Sequence, residues 1–375
     1  MHIIYEKHIT HEKRIKNISP MKKHIMKEKQ MSDRYAKALE RALYNWYYCG
    51  DGAKADPVMN MLSEGSRKGM QLLVPIEIPQ ELLQQLAEAE ELREGTEFSI
   101  NEELPISFRH IPVDEAGHYL VPLYTSEEQM KPGGETSAIA QPFAELLDMM
   151  DQWPDCVGYV INPYSEKILV DAGIREAVRN YNAKSHVAFV RGSVMDMKVA
   201  AVVNSANKTL LGGKAVDEIL LSEGEIDEAF LCGGGLNGAL HEAAGAALFD
   251  ECRTLGGCMP GDAKITGAHG FKNADHIIHA VGPFYRGEEE EEYDRQLLAS
   301  CYSKALDLAA ENGCDSVAFP CISTGVQRFP VYKAAPVALV AVIEWFEAHP
   351  ETVMNVYLCS FTDNEYKSYL NLIKS

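Results

Sequence analysis

The chain has 375 residues, 46% of them hydrophobic, and a formal net charge of −20. That length has room for two domains at ~100–200 residues each. The acidity argues against a nucleic-acid backbone as the main partner, because phosphate backbones need clustered Lys and Arg.

Residues 1–30 are basic and lack a continuous apolar core, so they do not form a secretory signal. They read as a disordered tail, or as an upstream start with the true start at Met31; contact with nucleic acid or a membrane is the alternative. No run of about 18 apolar residues follows, so no membrane span or membrane partner is expected. Nine scattered cysteines with no C-x-x-C pair read as reduced thiols in a cytoplasm.

From Ser32, residues Tyr35, Leu39, Leu43 and Tyr47 recur at helical spacing. Ser32 or Asp33 can cap that helix and Gly50 can end it. "MQLLVPIEIP" reads as a strand and "QELLQQLAEAEELREG" as a polar helix. "ISFRHIPVDEAGHYLVPLYTSEEQM" reads as two strands around an Asp-Glu-Ala-Gly turn. "QPFAELLDMMDQW" is helical, and "CVGYVINPYSEKILVD" is strand, turn, strand. This α+β set holds no catalytic constellation. Its ordered segments "LLVPIE", "ISFR", "YLVPLYTSEEQM" and "YVINPYSEKILV" resemble the SseB N-terminal domain family, giving a domain over 31–172. The resemblance implies a small α+β domain that could mediate protein contacts.

A boundary helix and linker over 173–184 precede a change of character. Five apolar strands are expected at "HVAFVRGS", "VAAVVNSAN", "HIIHAVGP", "SVAFPCIS" and "VMNVYLCSF". Helical runs intervene at "NGALHEAAGAALFDECRTL", "YDRQLLASCYSKALDLAAENG" and "KAAPVALVAVIEWFEAH". Such alternation predicts an α/β fold, with a parallel or mixed sheet and helices on both faces. Ligands of such folds bind past the carboxyl ends of strands. Two loops lie there: "NSAN" running on to "CGGGLNGALHEAAG", and "STGVQRFP". Small residues let backbone approach a ligand, and free N–H groups at a helix start attract an anion. An acidic chain could thus hold a diphosphate without lysine. The bland alternative for each loop is a tight turn, with its asparagines bonding their own backbone.

Together "VAAVVNSANKTLLGG", "GGGLNGALHEAAG", "LFDECRTLGGCMPGDAKIT", "HIIHAVGP", "LLASCY" and "VAFPCISTGVQRFP" resemble the macrodomain family, closest to its MacroD-type branch, over 185–375. The resemblance implies a three-layer α/β/α fold with a mixed sheet that binds ADP-ribose, free or on protein. Some members hydrolyse mono-ADP-ribosyl or O-acetyl-ADP-ribose linkages, and others only read the group. Carried over, Asn207 contacts the distal ribose and Asn204 braces the loop. Ala206, Gly233, Gly234, Gly235 and Leu236 flank the diphosphate and distal ribose. Ser323, Thr324, Gly325, Val326 and Gln327 form the second phosphate loop, and Phe329 packs near ribose or adenine. No cofactor is implied.

Three departures stand out. Where the family has "GDI", with its acid on the adenine amino group, this chain has Gly192, Ser193 and Val194; Ser193 and Val194 are kept as ligand-binding candidates because Ser193 can still hydrogen-bond, and Asp196, three residues on from Ser193, is the less favoured substitute. Where hydrolytic members follow the glycine run with Val-Asp, it has Leu236 and Asn237, and an amide cannot take a proton from water. Finally, "LLGGKAVDE" offers its own Val216–Asp217, with Lys214 and Ala215 replacing glycines. Either 214–232 is an insertion and Asn237 takes the acid's place, or Asp217 supplies the carboxylate. The first alignment is preferred because "GGGLNGALHEAAG" continues the helix pattern unbroken. The catalytic candidates are therefore Asn207, Asn237 and Asp217. Some macrodomains carry zinc in this loop, but Cys232 and His241 alone do not make a zinc site, and no metal is expected.

Overall fold

The first long helix starts earlier than its apolar spacing indicates. In the computed structural model, which describes residues 2–4, 20–49, 56–77, 98–99, 107–134, 137–180, 186–212 and 235–374, helix α1 runs Pro20–Tyr48. Residues 20–30, expected in the basic tail, thus continue the helix. Pro is well suited to a first helical position, and the Met, Lys, Glu and Gln residues after it are good helix formers. Ser32 lies inside this helix, and its Oγ accepts from the Gln71 N–H at 2.8 Å instead of capping.

The chain divides into two compact units, residues 1–43 with 58–182, and residues 44–57 with 183–375. The first contains α2 (Asp56–Arg67) from its third residue onward and two sheets. Strands β1 (His2–Ile4), β2 (Gln71–Glu77), β3 (Phe98–Ser99) and β4 (Ser107–Phe108) join β7 (Ala138–Pro142) in the order β3-β1-β7-β2-β4. Strands β5 (Ile111–Pro112), β6 (Tyr119–Leu123), β8 (Cys156–Ile161) and β9 (Ile168–Val170) form the second, in the order β5-β6-β8-β9. The expected turn joins β5 to β6, which pair antiparallel. Asp114 holds it by accepting from the N–H groups of Ala116 and His118 at 3.0 and 3.2 Å, an Asx turn. Short helices α3 (Glu127–Met130) and α4 (Phe143–Met149) and helix α5 (Ala172–Asn180) complete the unit. The polar helix expected over 80–95 lies outside the described residues.

The second unit is built on a six-stranded sheet. Its strands are β10 (Val187–Arg191), β11 (Val199–Ser205), β12 (Asp262–Gly267), β13 (Ala274–Val281), β14 (Ser316–Phe319) and β15 (Asn355–Ser360), in the order β10-β15-β14-β11-β13-β12. All neighbours run parallel except β12, which pairs antiparallel with β13. The central strands β11, β14 and β15 are buried along almost their whole length, as continuous Val and Ala runs predict for a sheet covered on both faces. On one face Val203, Phe319 and Leu358 pack with Tyr302 of α8 (Glu291–Glu311), Trp345 of α9 (Val331–Ala348) and Tyr369 of α10 (Asp363–Lys374). On the other, Val202, Ala318 and Tyr357 pack with Leu240 of α6 (Gly235–Ala244) and Leu248 and Cys252 of α7 (Ala246–Thr254). The result is the α/β/α layering expected. The single helical run anticipated over 237–255 is two helices, broken at Gly245, whose φ of 80° leaves the helical region. Neither β12 nor α10 was anticipated.

Residues 44–57 group with this second unit. The Asn45 amide clamps Lys198 ahead of β11, donating to its carbonyl and accepting its N–H, both at 2.8 Å.

Candidate functional site

A cleft of about 580 Å³ opens past the carboxyl ends of β10, β11, β14 and β15. It lies where an α/β sheet is expected to bind ligands. Five segments of chain wall it, one of them Cys359, Phe361 and Glu365 from the end of β15 onward. Gly192–Met195 follow β10, and Ser205 and Ala206 end β11. Gly235, Leu236, Asn237 and Ala239 form the start of α6, and Thr324–Gln327 follow β14. The predicted residues Ser193, Val194, Ala206, Gly235, Leu236, Asn237, Thr324, Gly325, Val326 and Gln327 are thus brought to one surface.

The loop after β14 is a rigid turn. Phe329 N–H donates to the Ser323 carbonyl at 2.9 Å, and Arg328 N–H to that of Gly325 at 3.0 Å. The Thr324 hydroxyl donates to the Cys321 carbonyl at 2.8 Å. The Gln327 side chain donates to the Gly282 carbonyl at 2.9 Å, tying the loop to the end of β13. With these bonds made, the N–H groups of Gly325, Val326 and Gln327 meet no acceptor among the described residues. Across the cleft stands the first turn of α6, whose leading N–H groups have no acceptor within the helix. Lys and Arg are absent from the described lining. Backbone dipoles therefore supply the attraction for an anion.

Not every predicted residue reaches the surface. Ser323 (φ 66°) and Phe329 are buried behind the loop, the former against Gly282 and the latter beside the Tyr285 ring at 5.1 Å. Asn207 is buried too: its Oδ1 accepts from Thr209 Oγ1 at 3.0 Å, while its Nδ2 has no partner among the described residues. Asp196 is exposed and lies away from the lining. Ser193 accepts from the Met195 N–H at 3.1 Å, capping its own turn. Asp217, Gly233, Gly234 and Cys232 lie outside the described residues.

Behind Asn237 is a buried polar chain. Asn204 Nδ2 donates to Asn237 Oδ1 at 2.8 Å and lies 3.2 Å from His279 Nδ1. Since an amide N–H faces it, Nδ1 is the acceptor and Nε2 carries the proton. Nε2 then donates to Thr266 Oγ1 at 3.0 Å, and that hydroxyl faces the Ile277 carbonyl at 3.4 Å. Burial, with a smaller effect from His241, pulls the His279 pKa down to about 3, so the ring is neutral. One ligand atom each from His241, Cys252 and His279 lies within 4.8 Å of the others. Both His279 nitrogens face hydrogen-bond partners, Asn204 and Thr266, whereas the buried Nε2 of His241 has none among the described residues.

Sequence reasoning missed part of the lining: Met195, Cys321, Cys359, Phe361 and Glu365. Cys321 and Cys359 follow or end parallel strands, a position that could have flagged them. Phe361 and Glu365 come from the entry to α10, which the sequence reading did not identify. Burial, reinforced by the Glu365 carboxylate, pushes the Cys321 thiol up, so it is a poor nucleophile.

Comparison with known proteins identifies what the chain is similar to. A Macro domain model matches residues 203–338, and an SseB protein N-terminal domain model matches residues 39–176. A Macro domain-containing protein of Methanosarcina mazei is 40% identical over 197 residues, covering 52% of this chain and 91% of that protein. ADP-ribose glycohydrolase MACROD2 of Xenopus laevis is 39% identical over 183 residues, which are 49% of this chain but only 38% of that protein. A crystal structure of the Trypanosoma brucei macrodomain in complex with ADP-ribose is 32% identical, covers 50% of this chain and 69% of that one, and has a TM-score of 0.41. Through its second unit the chain belongs to the macrodomain family, and the SseB protein N-terminal domain is what residues 39–176 are similar to.

Proposed function

We propose that the cleft binds ADP-ribose, free or attached to protein, and cleaves the mono-ADP-ribosyl bond. The observation that carries the binding is the paired arrangement of backbone donors: the 325–327 turn on one side and the start of α6 on the other. Several N–H groups converging on one diphosphate, at ~1.5–3 kcal/mol for each bond to a charged group, replace the missing cations. The distal ribose then lies toward Ala206 and Asn237, and the base toward Ser193 and the 72%-exposed Phe361 ring. Hydrolysis is supported by the glycohydrolase relative. Water attacks the anomeric carbon from the Asn237 side. Because Asn237 cannot accept its proton, the substrate's phosphate orients the water, or Asp217 supplies a base.

A non-catalytic reader is the second reading, and Asn237 is what favours it. Release of ADP-ribose from a mono-ADP-ribosylated protein separates the two. Calorimetric binding together with release supports the hydrolase. Binding without release leaves the reader, and no binding removes both. In either case the SseB-like unit would carry protein contacts, and the whole chain would act in the cytoplasm. No described helix is long and apolar enough to cross a membrane.

A further inference from the structure

Glu365 is the one carboxylate among the described cleft-lining residues. Half of its role is structural. Oε2 accepts from the Thr362 N–H at 2.8 Å, and Thr362 Oγ1 accepts from the Glu365 N–H at 3.3 Å, a reciprocal capping box at the start of α10. That motif uses one carboxylate oxygen. The other, Oε1, reaches the cleft loop and lies 3.0 Å from Thr324 Oγ1, whose single proton it shares with the Cys321 carbonyl. No described cation pairs with the carboxylate; its described neighbours on the cleft side are the Thr324 hydroxyl and the Cys321 thiol, and a carboxylate's several lone pairs can take a further donor from a ligand. The carboxylate is thus held at the diphosphate turn that begins at Thr324, in a cleft whose lining also includes Phe361, and only a ribose separates a diphosphate from its base.

Resting on the ADP-ribose reading above, we propose that Glu365 determines which nucleotides the cleft accepts, by receiving a hydrogen bond from the 2′-hydroxyl of the adenosine ribose and repelling any phosphate at that position. A carboxylate is an acceptor only. A 2′-hydroxyl satisfies it, whereas a 2′-phosphate adds about −1.5 to −2 charge beside it. An arginine that accommodates such a phosphate in other nucleotide sites has no counterpart in the described lining. The substrate class is therefore ADP-ribose derived from NAD, and 2′-phospho-ADP-ribose, derived from NADP, is excluded.

Calorimetry on the full chain with ADP-ribose, 2′-deoxyadenosine-diphosphoribose and 2′-phospho-ADP-ribose tests this. The wild type should favour ADP-ribose over the 2′-deoxy ligand about tenfold, and over the 2′-phosphate by roughly 30-fold or more, as expected for losing a bond to a charged group. Glu365→Gln keeps a capping-box residue and should shrink both preferences below about fivefold. Equal binding of all three ligands by the wild type overturns the assignment without touching the ADP-ribose reading, and so does a folded Glu365→Gln chain with unchanged preferences. The wild-type series stands as a test by itself if the variant does not fold. Failure of every ligand to bind overturns the ADP-ribose reading and this assignment together.

Discussion

Asn204 and Asn237 are joined by a 2.8 Å hydrogen bond in which Asn204 Nδ2 donates to Asn237 Oδ1. A carboxylate at 237 could accept the same bond. Asn237→Asp is therefore expected to fold normally and to raise ADP-ribose release by ~10²-fold or more, the usual worth of a general base. Single-turnover release from a modified protein checks it. An unchanged rate would mean that Asn237 does not face the reacting carbon.

Gly282 holds the second loop in place by having no side chain. A Cβ there would lie 2.1 Å from Ser323 Oγ and 2.7 Å from Ile322 Cγ2. Gly282→Ala should destabilise the chain by ~1–3 kcal/mol through overpacking and weaken ADP-ribose binding at least about tenfold by moving the donor turn. Urea unfolding and calorimetry read the two effects separately.

Gly325 offers the opposite case. A Cβ there meets nothing within 4 Å. Gly325→Val should leave stability within about 0.5 kcal/mol yet reduce ADP-ribose affinity by roughly tenfold or more, since a side chain would occupy the approach to the turn's N–H groups. Equal affinity would remove that turn from the binding surface.

His279 makes stability depend on pH. Its pKa falls from about 6.5 unfolded to about 3 folded. Between those values the unfolded chain holds a proton that the folded chain does not. Stability therefore rises with pH across that window, is fully present above it, and is lost as pH falls from about 6.5 toward 3. A slope of up to ~1.4 kcal/mol per pH unit is expected from this group alone. Urea denaturation at pH 7, 6 and 5 should show that slope, and His279→Gln should remove it.

The apolar strand cores and the two cleft loops could be read from the sequence because each is a local signal: a Val and Ala run ending in small residues. Strand β12 could not. Asp262 and Lys264 give it a polar, turn-like look after "CMPG", and its place is fixed by pairing with β13. The burial of Ser323 was equally hidden, since only the absence of a Cβ at distant Gly282 makes room for it. Glu365 was overlooked for the same reason: a capping residue reaches the cleft only because α10 starts against the Thr324 turn. The first turns of α1 were hidden because residues 20–30 are mostly charged and polar helix formers without a regular apolar stripe, and periodicity alone does not detect them.

Gly212 and Gly235 both sit in left-handed backbone, at φ 67° and 63°, and a Cβ at Gly212 would fall 2.9 Å from His241 Cγ on α6. The chain before segment 213–234 therefore ends about two helical turns, roughly 9 Å, from where the segment rejoins. So small a gap needs only a few residues to bridge. Closing such a loop costs only about 0.6 kcal/mol more per doubling of its length, so a segment as long as 213–234 weighs little on the stability of the sheet it leaves and rejoins.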